Sequence, residues 1–262
     1  MTTPTTANGR DLFRLDGQIA LVTGASRGIG ASVARALASA GADVLLSGRA
    51  KEELDDVAGS ISEEHGVRAA TLVSDLTQAA EVEALATRAS DVFGRVDVLV
   101  NNAGISIPEL VTETKADSWD AVMAVNLRAP ALLASRLGAR MAEAGSGRIV
   151  NIASTAGLRA LSEHYSYCAS KAALIMATKV LALELGPYGV RANVVCPTIV
   201  LTEMGQRVWG EEAKAAPMLA RIPAGKFAMP QDVASAVVYL ASPAAEMLNG
   251  TELTVDGGFT TN

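Results

Sequence analysis

Tyr167 and Lys171 are the residues whose types and spacing most directly indicate proton chemistry. They stand four residues apart where a helical pattern begins, so their side chains share one face of that helix. A free phenol has a pKa of about 10, and lowering it to about 7 needs roughly 4 kcal/mol. A neighbouring ammonium and a positively charged cofactor would together supply that stabilisation. Tyr167 would then accept the proton of an alcohol, or return one to a ketone.

Tyr165 is a second tyrosine in the same segment and must be weighed against Tyr167. Four residues after Tyr165 the chain has Ala169, which supplies no cation, so Tyr167 is the better candidate. Thirteen residues before Tyr167, Ser154 follows the fifth apolar run, where a hydroxyl would hydrogen-bond a substrate oxygen. A tyrosine and a lysine at this spacing often occur by chance, and the added serine argues against coincidence.

A glycine-rich turn over residues 23–30 follows the first apolar run and precedes a helical pattern. Its glycines are Gly24, Gly28 and Gly30. Glycine at these positions permits a tight turn, lets backbone amides approach a pyrophosphate, and leaves that anion at the positive end of a helix. An ordinary tight turn is the alternative, but placement between a strand and a helix favours a dinucleotide site. An oxidised nicotinamide would also provide the positive charge that Tyr167 requires.

The end of the second predicted strand bears on which dinucleotide is bound. Many dinucleotide sites have an acidic residue there, which takes the ribose hydroxyls and repels a 2′-phosphate. This chain has Gly48 followed by Arg49 instead. Arg49, together with Arg27 of the glycine turn, would pair with a 2′-phosphate, which favours NADP(H) over NAD(H). The alternative is that Arg49 is a solvated residue at the start of a helix, and NAD(H) then remains a candidate.

Seven short apolar runs, separated by longer helical patterns, must position these residues. The runs are nearly continuous rather than alternating, which indicates strands covered on both faces. This pattern predicts an α/β fold of the doubly wound (Rossmann) type, with a mostly parallel seven-stranded sheet and helices on both faces. The predicted strands are 19–22, 44–46, 69–73, 98–100, 149–152, 190–196 and 253–255.

Between the runs, apolar residues at three- and four-residue spacing predict helices, for example over 29–40, 82–93 and 172–185. Three glycines stand where such helices are expected to end, namely Gly41, Gly94 and Gly189. The stretch 202–230 interrupts the alternation of strand and helix patterns because it contains three prolines, Pro217, Pro223 and Pro230. We interpret it as a lid over a pocket, with an ordinary long connection as the alternative.

Composition limits the class of protein. Half of the 262 residues are apolar and 19% are charged, which suits a single large core. The net charge is −6 and no basic run suggests a phosphate-backbone footprint, so nucleic acid is not an expected partner. No apolar run reaches about 18 residues, and residues 1–10 do not resemble a signal peptide. We expect a cytoplasmic protein without membrane contact, with a flexible tail over 1–14 and one dinucleotide-binding catalytic domain over 15–262.

The chain has two cysteines and two histidines. Cys168 and Cys196 offer no disulfide framework, and with His65 and His164 they show no metal-ligand spacing, so no metal is expected. The charged run at 51–53, Lys-Glu-Glu, is interpreted as a solvated helix face without a functional role.

Over residues 15–259 the sequence resembles the short-chain dehydrogenase/reductase family. The glycine turn, Asn-Asn-Ala-Gly at 101–104, and Ser154, Tyr167 and Lys171 carry this likeness. Asn126, within Val-Asn-Leu, matches the family's fourth catalytic position. The resemblance implies that Asn126 holds a water linking Lys171 to solvent as a proton relay, while Lys171 also binds the nicotinamide ribose. It further implies a homotetramer, in which apolar helices predicted around 127–144 and 172–185 could pair.

The same resemblance extends the cofactor site beyond the glycines and Arg49. It places Asp75 beside the adenine, and Pro197, Val200 and Thr202 around the nicotinamide carboxamide. The family usually has Pro-Gly after the sixth strand where this chain has Pro-Thr at 197–198, so the local backbone is expected to differ. The added cofactor-binding residues are Ser26, Arg27, Ile29, Asp75, Asn102, Ala103, Gly104, Tyr167, Lys171, Pro197, Val200 and Thr202.

Residues 164–185 and 196–205 resemble the L-xylulose reductase and polyol dehydrogenase branch of this family. In that branch a histidine three residues before the tyrosine and a tryptophan in the lid face the substrate, and here these are His164 and Trp209. Imidazole exchanges hydrogen bonds with a polyol hydroxyl, and an indole closes an otherwise wet pocket. The alternatives are an exposed residue at a helix start for His164 and a residue that only packs the lid for Trp209.

The resemblance therefore implies an oxidoreductase that transfers hydride between NAD(P)(H) and a small polyol or ketose of four or five carbons, such as threitol and erythrulose or xylitol and L-xylulose. Two alternatives stay open. A 3-oxoacyl carrier protein reductase has a similar glycine turn but leaves His164 and Trp209 unexplained. A non-catalytic dinucleotide sensor would be expected to lack part of the catalytic set, which is complete here.

Overall fold

Seven parallel strands build the core of the protein. A computed structural model describes Gly9 and residues 11–261, apart from the side chains at 204, 207, 208 and 214. The strands are β1 (Ile19–Thr23), β2 (Asp43–Gly48), β3 (Ala69–Val73), β4 (Val98–Asn101), β5 (Gly147–Ile152), β6 (Val190–Pro197) and β7 (Glu252–Val255). They form one sheet in the order β3-β2-β1-β4-β5-β6-β7, and every pairing is parallel. The predicted doubly wound fold is confirmed.

Helices cover this sheet on both faces, as predicted. Val22 of β1 and Val33 of α1 belong to the apolar cluster on one face, while the neighbouring Leu21 and Leu85 of α3 belong to the cluster on the other. Successive strand residues point to opposite faces, so a strand covered twice needs an unbroken apolar run. The helices are α1 (Gly28–Ser39), α2 (Lys51–His65), α3 (Ala79–Phe93), α4 (Ala116–Met123), α5 (Ala129–Ala144), α6 (Tyr165–Leu185), α7 (Glu203–Trp209), α8 (Glu212–Leu219) and α9 (Pro230–Ala241).

The strand order reverses between β1 and β4, because β2 and β3 extend the sheet on one side and β5 to β7 on the other. Ligands of open parallel sheets bind at such a reversal, outside the carboxyl ends of the strands. Thr23 ends β1 and Asn101 ends β4, so both stand at this point. The fold therefore brings the glycine turn and the Asn-Asn-Ala-Gly segment to the same edge.

Two of the predicted helix ends carry left-handed glycines at the expected place. Gly94 follows α3 directly with a φ of 88°, and Gly41, with a φ of 104°, comes one residue after the C-cap of α1. Gly189 does not end α6 itself. It closes the 3-10 turn Gly186–Tyr188 that follows that helix, with a φ of 77°.

A π-helical segment, Ala124–Arg128, joins α4 to α5 without a loop. π-helical turns occur rarely and concentrate at functional sites. Asn126 stands in the middle of this segment and is fully buried. The segment is thus an element of the site as well as of the fold.

The stretch 202–230 folds as two short helices, α7 and α8, over a small apolar cluster. Its two ends lie side by side, because Val200 forms a bridge with Ala228 and the Leu201 amide donates to the Ala228 carbonyl at 2.8 Å. The cluster contains Ala215, Ile222, Phe227 and Phe259, with Trp209 packed against it. This arrangement is compatible with the predicted lid, whose movement stays a prediction.

Most of the predicted flexible tail, residues 1–8 and 10, lies outside the described residues. Within 11–14, Asp11–Phe13 forms one 3-10 turn, and the Phe13 ring lies 6.2 Å from that of Tyr239. Across the described ranges no helix combines the length and apolar character that a membrane span needs. The same residues contain no group of three or more potential metal ligands.

Candidate active site

The glycine turn is closed so tightly that side chains do not fit. Gly24 and Gly28 have φ values of 64° and 58°, in the left-handed region that other residues avoid. A Cβ on Gly30 would lie 2.1 Å from the Gly24 carbonyl oxygen. Because α1 begins at Gly28, the turn presents backbone amides at a helix N-terminus. This is the geometry that binds a pyrophosphate.

Asn102 braces this turn from the neighbouring strand end. Its Nδ2 donates to the carbonyls of Thr23 and Gly24 at 2.9 and 3.2 Å. In return, the Thr23 hydroxyl accepts the amides of Asn102 and Ala103 at 3.0 and 3.1 Å. Thr23 was not among the residues predicted from the sequence, although a hydroxyl at the end of a buried strand was a signal that could have identified it.

A cleft of about 540 Å³ opens along the turn and is large enough for an extended dinucleotide. Most of the predicted cofactor residues line it: Gly24, Ser26, Arg27, Gly28, Ile29, Gly30, Arg49, Asp75, Asn102, Ala103, Gly104 and Thr202. Four predicted cofactor residues are not part of this lining, namely Tyr167, Lys171, Pro197 and Val200. The lining also contains residues that were not predicted from the sequence, namely Gly48, Ala50, Glu53, Ser74, Leu76, Thr77, Ile105, Val125 and Glu203.

Gly30→Ala is expected to destabilise the fold by about 1–3 kcal/mol, because its Cβ would meet backbone that cannot move independently. It should also weaken dinucleotide binding, since the turn must open to accept the methyl group. Gly59→Ala is a matched control: Gly59 lies within α2 with nothing within 4 Å of a Cβ. That change should stabilise the helix by about 0.5–1 kcal/mol. Thermal unfolding and NADPH titration measure both effects, and an unchanged Gly30→Ala variant would contradict this account.

Lys171 is almost completely buried beside Gly104, a residue of the cleft lining. Its Nζ donates to the Ile152 carbonyl at 2.8 Å, and burial lowers its pKa to about 8. A Cβ on Gly104, which lines the cleft, would lie 3.4 Å from both Lys171 Nζ and Asn126 Oδ1. Three predicted residues, from the loop after β4, the π-helical segment and α6, are therefore brought together.

Tyr167 lies in the first turn of α6, and Ser154 lies close to it. Burial raises the pKa of Tyr167, and hydrogen bonding from Ser154 acts in the opposite direction. Lys171 Nζ is 5.7 Å from the centre of the Tyr167 ring. The chain alone thus favours the neutral phenol. The lowering of the Tyr167 pKa expected from the sequence would need the positive nicotinamide in addition.

Ser154 is held in place by the turn that follows β5. Its Oγ accepts the Ala156 amide at 3.1 Å, which caps the 3-10 turn Thr155–Gly157. That cap fixes the hydroxyl beside Tyr167 and leaves it free to bond a substrate oxygen. Tyr165, the rejected candidate, is half exposed and packs against Trp119 in a tilted arrangement with ring centres 5.2 Å apart.

Asn126 connects the π-helical segment to the strand end and to α6. Its Oδ1 accepts the Ile105 amide at 2.8 Å, and its Nδ2 donates to the Ile105 carbonyl at 2.9 Å and to Ser170 Oγ at 3.1 Å. Both polar atoms of the amide are engaged, and only a second lone pair of Oδ1 or the main-chain carbonyl is left for a water. The relay role stays a prediction.

His164 stands directly before α6, and its ring meets that of Tyr167 edge-on at 6.2 Å. The preceding residue, Glu163, has a φ of 65°, which is a strained conformation for a residue with a side chain. The Glu163 main-chain carbonyl accepts a hydrogen bond from the Glu109 amide at 2.8 Å. Trp209 instead packs on Phe227, with ring centres 5.9 Å apart. Of the two predicted substrate residues, His164 is thus shown beside Tyr167.

A buried chain of polar side chains, missed by the sequence analysis, holds α6 against the sheet. Asn101 Nδ2 donates to Asn151 Oδ1, and Asn151 Nδ2 donates to Thr178 Oγ1, both at 2.8 Å. Thr178 lies two helical turns beyond Lys171 on the same helix. The chain therefore fixes the position of the helix that carries Tyr167 and Lys171. Asparagines inside apolar strands were the available signal.

Comparisons with known proteins cover nearly the whole chain. A family model described as enoyl-(acyl carrier protein) reductase matches residues 24–260. D-threitol dehydrogenase from Mycolicibacterium smegmatis is 44% identical over 249 residues, which is 95% of this chain and 95% of that protein. L-xylulose reductase from Mesocricetus auratus is 44% identical over 247 residues, 94% of this chain and 97% of that protein.

Solved structures give the same result. A gluconate 5-dehydrogenase from Burkholderia cenocepacia, solved with NADP and tartrate, superposes with a TM-score of 0.92 at 35% identity. The match covers 97% of this chain and 100% of that chain. The identities, the coverage and the shared architecture establish that the chain belongs to the short-chain dehydrogenase/reductase family.

Proposed function

We propose that the protein is a nicotinamide-dependent oxidoreductase that interconverts a small polyol of four or five carbons and the corresponding ketose. The observation that carries the proposal is the position of Lys171 beside Gly104 of the cleft lining, with Tyr167 and Ser154 next to it. The tight turn, the cleft volume and the arginines at its edge fit a dinucleotide. When bound, that cofactor supplies hydride transfer at the substrate carbon and, in its oxidised form, a positive charge that favours the phenolate.

Tyr167 is the proton donor and acceptor of this reaction. In the reducing direction its neutral phenol gives a proton to the carbonyl oxygen, and in the oxidising direction the phenolate takes the proton of the alcohol. Ser154 holds the same substrate oxygen by a hydrogen bond. The pKa of Tyr167, raised by burial, keeps the phenol in the form that ketone reduction needs.

Lys171 returns protons to Tyr167, and a water positioned by Asn126 would resupply Lys171 from solvent. A lysine whose pKa is about 8 exchanges its proton readily near neutral pH. Asn126 hydrogen-bonds with Ile105 and Ser170 and would position a water on the path from Lys171 to solvent. Lys171 also lies next to Gly104 on the cleft wall, where it would bind the nicotinamide ribose.

The substrate class rests on His164 and on the relatives. His164 stands beside Tyr167, within reach of a second hydroxyl on a substrate whose first oxygen is at Ser154 and Tyr167. Two relatives at 44% identity are named for threitol and for xylulose. Trp209 belongs to the cluster under α7 and α8 and would face the substrate only when this segment closes.

A spectrophotometric panel tests the substrate class. It compares threitol, xylitol, erythrulose and xylulose with acyl thioesters and steroids, each with both nicotinamide cofactors. Turnover of the polyols and ketoses is expected. Turnover of 3-oxoacyl thioesters with none of the sugars would support the 3-oxoacyl carrier protein reductase alternative, and no turnover of any kind would support a sensor.

His164→Ala is expected to lower kcat/KM for a polyol by about two- to tenfold, the value of one neutral hydrogen bond. A simple ketone such as butanone has no second hydroxyl, so its kcat/KM should change much less. His65→Ala is the matched control, because His65 lies at the far end of α2. An equal loss for the polyol and the simple ketone would contradict a role in substrate recognition.

We also infer a preference for NADP(H), carried by Arg27 and Arg49. Both guanidinium groups line the cleft, and neither forms a hydrogen bond or ion pair within the described residues. Arg49→Ala is expected to reduce the ratio of NADP(H) to NAD(H) efficiency by about five- to thirtyfold, because a charge-assisted bond to the 2′-phosphate is lost. An unchanged ratio would contradict the preference.

We further propose a homotetramer that works in the cytoplasm. α6 exposes Met176, Val180 and Leu183 at helical spacing, an apolar stripe that a second copy would cover. Both cysteines are free thiols, as expected in a reducing compartment. Light scattering that gives the 27.0 kDa mass of a single chain would contradict the oligomer.

A further inference from the structure

Glu53 lies at the wall of the cofactor cleft, which was not expected from the charged run at 51–53. The run was expected to be a solvated helix face, and Glu52 is exposed, as expected. Glu53, however, lines the cofactor cleft together with Gly48, Arg49 and Ala50. The carboxylate of Glu53 makes no hydrogen bond or ion pair with any residue that the structure describes.

Packing places Glu53 at this wall. Leu54 is fully buried, and a Cβ on Gly48 would lie 3.6 Å from its Cδ2, so the first turn of α2 rests on the end of β2. With Leu54 turned inward, the adjacent Glu53 faces the cleft. A glutamate at the third helical position often bonds back to the N-cap amide. No such bond to Ala50 is present in the described structure, so the carboxylate keeps its acceptors for a ligand.

We propose that Glu53 is a specificity-determining residue that opposes Arg49 at the adenosine ribose. Arg49 favours a 2′-phosphate, whereas a carboxylate on the same wall repels it. The two charges make the site accept both NADP(H) and NAD(H), with a smaller preference than Arg27 and Arg49 alone would give. This inference rests on the proposed cofactor site.

The test compares Glu53→Gln with Glu52→Gln by isothermal titration. Both variants remove one negative charge from the same exposed turn, but only Glu53 lines the cleft. The ligands are NADPH, NADH and adenosine 2′,5′-bisphosphate, so binding is measured apart from turnover. Thermal unfolding checks that both variants are folded.

Glu53→Gln is expected to tighten NADPH and the bisphosphate by about three- to tenfold, and to change NADH by less than about twofold. The gain should shrink at about 0.5 M salt, because the charges are exposed. Glu52→Gln should leave all three affinities nearly unchanged.

Equal effects of the two substitutions, or equal tightening of NADPH and NADH, would overturn the role of Glu53. Titration of an Arg49→Gln variant distinguishes a wrong role for Glu53 from a wrong NADP(H) preference. If Arg49→Gln leaves NADPH affinity unchanged, the NADP(H) preference is wrong, while the comparison of Glu53→Gln with Glu52→Gln still decides whether Glu53 repels the 2′-phosphate.

Discussion

Tyr167→Phe is expected to lower kcat by about 10²–10⁴-fold while NADPH affinity changes little. The phenylalanine ring fills the same volume beside Lys171, so the cleft and the helix should keep their geometry. Only the hydroxyl that exchanges a proton with the substrate oxygen is lost. Single-turnover measurements with erythrulose and NADPH would report the chemical step directly.

Tyr165→Phe is the matched control for this change. Tyr165 is two residues away on the same helix, but its ring is half exposed and packs against Trp119. Its kcat should stay within about twofold of the wild type. If the two variants lose activity equally, or if Tyr167→Phe retains full activity, the assignment of Tyr167 as the proton donor is wrong.

Lys171→Met should abolish most of the activity and yet stabilise the fold. Burial lowers the Lys171 pKa from 10.5 to about 8, so keeping the charged form folded at neutral pH costs about 3 kcal/mol. Methionine has a similar volume and no charge. Losing the hydrogen bond to the Ile152 carbonyl destabilises the variant by about 1 kcal/mol, which offsets part of this gain. We therefore expect a net stabilisation of about 2 kcal/mol at pH 7.

The pH dependence of stability gives an independent check on Lys171. Its folded pKa is lower than its unfolded pKa, so between these values the unfolded chain binds more protons and stability rises with pH. From pH 8 to 9 the wild type should gain about 1 kcal/mol relative to Lys171→Met. Above pH 9 the buried thiol of Cys196, whose pKa is raised from 9.0 to about 12, acts in the opposite direction.

Chemical denaturation of the wild type and Lys171→Met at pH 7, 8 and 9 measures both effects. The difference between the two proteins isolates Lys171 from other titrating groups. A variant that is less stable than the wild type at pH 7, or one whose stability difference does not depend on pH, would show that Lys171 is not a destabilising buried cation.

Much of the fold could be predicted because burial on both faces leaves a direct mark on the sequence. The continuous runs located all seven strands within two residues of their ends. The glycine turn was equally visible, since Gly30 stands where any side chain would meet the Gly24 carbonyl. Residues close in sequence, such as Tyr167 and Lys171, could also be placed relative to each other from helix geometry.

Features that depend on distant contacts could not be predicted. The pKa values of Tyr167 and Lys171 reflect how completely α6 is buried, which no local spacing reports. Asn151 and Thr178 meet only because β5 and α6 pack together. Glu53 has the sequence context of an exposed helix face, and only the packing of Leu54 on Gly48 turns it to the cleft.

The π-helical segment Ala124–Arg128 limits where this chain can gain or lose a residue. A π turn holds about one residue more than an α turn. Deleting one residue there would let α4 and α5 merge into a regular α-helix, and the wide turn that places Asn126 would be lost. Asn126 would then no longer reach both the amide and the carbonyl of Ile105. At this segment the active site depends on the number of residues as much as on their identity.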